Sequence, residues 1–225
     1  MSKSRTRKQL EAAVGGLSKP SKMPCHGYSI PAHRCITGSK LRLQSDSTCS
    51  ACYALKGRYV FPNVLEAMER RFHILMKDMN KWVDDMVELI SRFEKSGYFR
   101  WHDSGDIQSV EHFQAIIDIA FSVPHVKFWL PTRELRILRD WATLNKGVEL
   151  PSNLTVRLSS YFVGSAMNLP AFLTEAGVKL STVGLDDVTD DVHFNRCPAQ
   201  KQGNKCQSCR ACWDRSVYCV DYPLH

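Results

Sequence analysis

The sequence has no run of eighteen or more apolar residues, which excludes a membrane span of the helical type. Its basic opening, MSKSRTRKQLEAAVGG, has no apolar stretch behind it, so no secretory leader is expected and the protein reads as cytoplasmic. No internal repeat recurs along the 225 residues. Basic charge is plentiful, giving a net +7, but it lacks a focus: only Lys3, Arg5, Arg7 and Lys8 form a compact arm. Such a net charge suits an anionic partner, a nucleic acid or nucleotide, while the arm itself reads as part of a solvated, disordered tail over residues 1–22, with a short helix around Leu10 to Val14. With 44% hydrophobic and 24% charged residues, the remainder has the composition of a globular domain with one sizeable core.

Cysteine is what the chain does have. Nine are present, an odd number, and in a reducing compartment closely spaced thiols read as metal ligands or redox groups before disulfides. They fall into two groups. Cys25, Cys35, Cys49 and Cys52 lie in a loop-rich stretch, the last pair within STCSACYALKG. Cys197, Cys206, Cys209 and Cys212 lie in CPAQKQGNKCQSCRACW, with Cys219 trailing. Cys-x-x-Cys-x-x-Cys turns aim neighbouring sulfurs at one centre and can hold three corners of an iron–sulfur cube; four thiolates can also close a zinc tetrahedron. The polar neighbours of the second group argue against simple burial. For the first group, cluster ligation by Cys35, Cys49 and Cys52 competes with a redox dithiol and with structural packing. His26 and His33 on the same loop are zinc candidates, although isolated loop histidines usually face solvent.

Between the two groups the chain alternates strand and helix. A long amphipathic helix is expected from an Asn63 cap, with Glu66 as its capping-box partner, to Gly97, broken near Asn80. It is followed by the strands YFRW, KFWLPT, LTVRLSS and VKLSTV, with helices between them, one capped by Ser109. A strand in HGYSIPA would precede the long helix. The expected fold is therefore α/β, a (βα)n parallel sheet of five or six units closed into a partial or complete TIM-like barrel over residues 23–193. A Cys-rich, metal-binding tail follows over residues 194–225. Polar residues cluster where the strands end: His102, Asp103, Ser104 and Asp106, then Thr132, Arg133 and Glu134, then Ser159 and Ser160, then Asp186 and Asp187. That recurrence predicts a functional face at the carboxyl ends of the strands.

The run MPCHGYSIPAHRC…STCSACYALKGRYVFPNVLEAMERR, with FRWHDSGDI, KFWLPTRE and CQSCRACWDRSV, resembles the bacteriophage Gene product 88 family over nearly the whole chain after residue 22. A more distant similarity is to radical S-adenosylmethionine (SAM) enzymes, whose three loop cysteines hold a [4Fe–4S] cluster with one iron open to SAM. The resemblance implies cluster ligation by Cys35, Cys49 and Cys52, with Tyr53 behind them, and a cofactor contact from Ser104, Gly105 and Asp106. Position 45 is Ser where that family carries a cysteine, and Asp106 stands in place of its usual glutamate.

Three functions compete. The first is an iron–sulfur enzyme acting on a nucleic acid or nucleotide. In it His102, Asp103 and Asp106 position cofactor or substrate, Arg133 meets an anionic group, and the late cysteines hold an auxiliary cluster fed by an electron donor. The second is a non-catalytic zinc or iron–sulfur protein binding nucleic acid or a host protein, using Lys201, Lys205, Arg210 and Arg215 and a stacking Trp213. The third resembles zinc-bearing tRNA-guanine transglycosylases, with Asp103 or Asp106 as nucleophile and His225 as a ligand.

Overall fold

Alternation decides the sheet. In Tyr98-Phe99-Arg100-Trp101, Phe99 and Trp101 are fully buried on one face while Tyr98 and Arg100 point to the other. The same two-residue period places Phe128 and Leu130 opposite Trp129, and Leu154, Val156 and Leu158 opposite Thr155, Arg157 and Ser159. The computed structural model describes residues 4–185 and 194–224, and in it these strands belong to one seven-stranded parallel sheet. The strands are β1 (His26–Tyr28), β2 (Tyr98–Trp101), β3 (Lys127–Thr132), β4 (Leu154–Ser159), β5 (Lys179–Val183), β6 (Phe194–Arg196) and β7 (Cys219–Tyr222), in the order β1-β2-β3-β4-β5-β7-β6. The expected (βα)n sheet is present. No pairing joins the end strands β1 and β6 among the described residues, so closure into a complete barrel is not seen.

The helices are α1 (Arg7–Val14), α2 (Ile36–Leu41), α3 (Pro62–Lys77), α4 (Met79–Phe93), α5 (Val110–Ser122), α6 (Leu135–Leu144) and α7 (Ala171–Glu175). Stepping β1 to β5 in sequential order with right-handed crossovers puts the connecting helices on one side. There α1, α4, α5, α6 and α7 pack in succession over Phe99, Trp101, Phe128, Leu130, Val156 and Leu180. Each fully buried side chain of this size stabilises the fold by about 1.5–3 kcal/mol.

Four expectations need correction. The first 22 residues are not a disordered tail. Thr6 and Gln9 form a reciprocal capping box, and Leu10 and Val14, four residues apart, are fully buried against the helix layer. Arg5 pairs with Asp85 and Glu88 on α4. The long helix is two helices, separated at Asp78, whose extended backbone and side chain cap α4 through Lys81 N–H. Neither Asn63 nor Glu66 caps α3; Pro62 stands at its first turn, where its missing N–H costs nothing. Finally, the cysteine-rich end is no appendage: β7 lies inside the sheet between β5 and β6, and the segment before it covers the polar face. The predicted residues Asp186, Asp187 and His225, and Lys3 of the arm, lie outside the described residues.

Candidate cysteine-lined site

Between β1 and α3 the chain makes an excursion over the carboxyl ends of the strands, and the first cysteines sit on it. The strand ends hold it down. Glu134 accepts from Thr37 N–H (2.8 Å) and from the Thr37 hydroxyl (2.6 Å), fixing the start of α2. Tyr59 donates to Asp103 Oδ2 (2.9 Å) and Tyr53 to the Asp103 carbonyl (2.6 Å). Arg133 Nε donates to Thr48 Oγ1 (2.9 Å), and Thr48 N–H donates to the Tyr161 carbonyl (2.8 Å) beyond β4. Residues that the sequence marked as a functional face are thus the clasps of the excursion.

This arrangement brings Cys35, Cys49 and Cys52 together. Cys35 occupies the N-cap position of α2, and Cys52 that of the 3-10 turn Tyr53–Leu55, neither side chain making a capping bond. Cys49 is buried, while Cys35 and Cys52 are half-buried. Burial pushes the Cys35 thiol up, and Asp106, Cys52 and Cys49 stand close enough to push it further. Cys49 is raised in the same way by burial, partly offset by Arg133. Gly38 leaves the room they share: a Cβ there would lie 3.0 Å from Cys35 Cβ, 3.6 Å from Cys49 Sγ and 3.7 Å from Cys35 Sγ. Among the described residues no three His, Cys, Asp or Glu side chains converge tightly enough for a single ion.

Below the thiols, Asp106 accepts from Arg133 N–H (2.9 Å) and Ile107 N–H (2.8 Å). Burial, then the neighbouring Glu134, raises its carboxyl to about 7 despite those bonds. Gly105 has φ +80°, and a Cβ on it would strike the Ile30 side chain at 2.3 Å, so this turn requires glycine where β1 ends. The hydroxyl of Ser104 and both ring nitrogens of His102 are buried without partners. His102 takes a left-handed backbone (φ 52°), and burial holds its imidazole neutral, well below the ordinary histidine range. His26 and His33 do not join the thiols; they pair with Glu94 (2.7 Å) and Glu69 (2.9 Å).

A second thiol group forms on the polar face of the sheet, and its membership differs from the sequence reading. Cys25, expected with the first group, packs instead with Cys212, Trp129, Trp213 and Val220, with Cys197 alongside. Cys206 contacts Met23 Sδ (3.7 Å), and its N–H donates to the Lys22 carbonyl (3.0 Å). Cys197, Cys206 and Cys209 lie close enough to perturb one another or Cys212. Burial lifts Cys25 and Cys212 to about 12 each. Cys212 is therefore buried despite its polar sequence neighbours, because its segment docks on the sheet. Trp213 is buried too, donating to the Phe99 carbonyl (2.9 Å), and has no face free for stacking. Cys219 belongs to the helix-side core, apart from both groups.

Two arginines missed in the sequence organise this face. Arg157, fully buried in β4, donates to the carbonyls of Ala211, Cys212, Asp214, Val217 and Leu180 at 2.8–3.2 Å. Arg100 sits 4.5 Å over the Trp129 ring; its charge reaches Cys25 and Cys206 on one side and Tyr53 on the other. A signal for both existed: each is a cation at the alternate position of an apolar strand. An open groove of about 540 Å³ between α4, α5 and α6 lies on the helix side and touches none of these residues.

The family model described as Gene product 88 matches residues 1–215. The chain belongs to the Gene product 88 family. No curated protein and no solved structure matches it. Membership in the Gene product 88 family assigns no chemistry, which rests on the site alone. No helix among the described residues is long and apolar enough to cross a membrane.

Proposed function

We propose that this Gene product 88 protein is an iron–sulfur enzyme on a partial-barrel, radical-SAM-like scaffold, acting on a nucleotide or nucleic acid. The observation that carries the reading is the convergence of Cys35, Cys49 and Cys52 over the strand ends, next to Asp106 and Glu134. These three thiolates would hold a [4Fe–4S] cluster, and one iron left without a protein ligand would supply one-electron chemistry to bound SAM. The chain's own groups do the positioning. Glu134 and Asp103 fix the excursion, Arg133 ties it to the end of β4, and the Ser104 hydroxyl and His102 imidazole are among the buried polar groups left unpaired at the strand ends. The second group, Cys197, Cys206, Cys209 and Cys212 with Cys25, would hold an auxiliary iron–sulfur cluster or a zinc ion, its backbone pinned by Arg157.

Purification without oxygen, followed by visible absorption and quantification of iron, sulfide and zinc, tests the reading. A brown protein whose EPR signal changes on adding SAM is expected. Single Cys35→Ala, Cys49→Ala and Cys52→Ala variants are expected to lose about one cluster's iron while keeping the metal of the second group. A colourless protein with stoichiometric zinc and no iron would overturn it, and a cluster indifferent to SAM would remove the cofactor from it.

A further inference from the structure

The excursion that carries the first three cysteines has an outer side. Residues 32–61 contain five Lys and Arg and a single acidic residue, Asp46. Their 3-10 turns and α2 pack on one another, and their inward groups are engaged by Asp103, Arg133 and Glu134. What remains faces solvent. Lys40, Lys56 and Arg58 are exposed and have no acidic partner among the described residues. Some basic residues elsewhere are paired, as in Arg7–Glu11, Lys81–Asp85 and Arg139–Asp140. Beside the three cations, Tyr53, Val60 and Phe61 are 50%, 51% and 54% exposed.

Unpaired cations interleaved with open aromatic rings suit a polyanion that also offers flat π faces. A duplex hides its base faces and would use the charges alone. An acidic peptide would meet the charges and leave the rings in water. Single-stranded nucleic acid satisfies both, phosphates on the cations and bases on the rings.

We propose that the outer surface of residues 32–61 docks single-stranded nucleic acid and leads it to the strand ends beside Cys35, Cys49 and Cys52. That destination rests on the enzyme reading above; the docking itself does not. Three phosphate contacts predict a slope of about −2 in the logarithm of affinity against the logarithm of salt.

Fluorescence anisotropy of a labelled oligo-dT titrated with the full chain tests this between about 50 and 200 mM salt. Phe61→Ala is expected to weaken binding about tenfold. The Lys40→Glu/Lys56→Glu/Arg58→Glu triple is expected to weaken it by tenfold or more and flatten the salt slope. A Lys95→Glu/Lys146→Glu pair, exposed at the amino-terminal edge of the sheet, should stay within about twofold of the parent. Equal loss in that control pair, equal competition by duplex, or no binding at the lower salt would each overturn the docking surface. Metal content measured on the same samples separates the two readings. Oligonucleotide binding by a protein that holds only zinc overturns the enzyme reading and leaves the surface. An intact iron cluster without oligonucleotide binding does the reverse.

Discussion

Replacing Arg157 with methionine keeps most of the side chain's length and removes its five N–H donors. The guanidinium spans five carbonyls, four of them in the segment Ala211–Val217 that carries Cys212 and Trp213 over the polar face. A buried carbonyl left without a donor costs about 1–3 kcal/mol. Against this, the charge is itself costly to bury, and burial lowers the Arg157 pKa. With several carbonyls left unpaired and the relief of the buried charge set against them, a net loss of about 3 kcal/mol is expected. At roughly 2–4 °C per kcal/mol for a chain of this size, the melting temperature should fall by about 10 °C. Urea unfolding followed by tryptophan fluorescence suits the measurement, because Trp129 and Trp213 both lie in the affected cluster. Arg157→Lys, with three donors, should fall between the two. Thiol titration gives a second readout: Cys212 and its neighbours should react faster in Arg157→Met, and Cys49 should not. A loss below about 1 kcal/mol, with unchanged thiol reactivity, would refute the view that Arg157 pins this segment.

Gly38→Ala puts a methyl group 3.0 Å from Cys35 Cβ, so on the proposed cluster reading anaerobically purified protein should lose most of the iron assigned to Cys35, Cys49 and Cys52, while thermal stability changes by less than about 2 kcal/mol. Leu10→Ala should destabilise by about 2–5 kcal/mol in chemical unfolding, an effect that a disordered tail would not produce. His112 is wholly buried against Trp82 and His102, with Nδ1 accepting the Gln108 N–H, and burial lowers its pKa to about 3. The unfolded chain binds a proton there below about pH 6.5 and the folded chain does not, so stability falls as pH falls, by about 2 kcal/mol for this residue at pH 5. His112→Gln should remove about one proton from the slope of stability against pH between 6.5 and 4.5; an unchanged slope would show that His112 is not held neutral.

Much of this architecture was legible because it is local. The two-residue period of FRW and of LTVRLS, the Ser109 cap and the helical period through Trp82, Met86, Leu89 and Ile90 are written within a few residues of one another. The polar residues at the strand ends were legible for the same reason. Their use was not: whether Asp103 holds Tyr59, or Glu134 holds Thr37, depends on contacts between residues more than forty positions apart. The helix break was legible only as lying near Asn80, because nothing in the apolar pattern distinguishes Asp78 from Asn80; the cap geometry places it at Asp78. The amino-terminal helix was underrated because its basic residues suggested solvent, while its two apolar residues had a partner only once α4 was in place.

The sequence by itself determined that this is a parallel α/β protein with two sets of closely spaced thiols, one of them leading towards the HDSGD turn. Spacing and periodicity are properties of the chain and survive without knowledge of the fold. Only the tertiary structure decided which thiols lie together. Cys25 left its sequence neighbours because β1 carries it to the polar face of the sheet, where Arg157 holds the late cysteine segment. Cys35, fourteen positions or more from its partners, joined Cys49 and Cys52 because the strand ends clasp the excursion between them. The grouping is a matter of long-range packing and hydrogen bonding, and no local pattern encodes it.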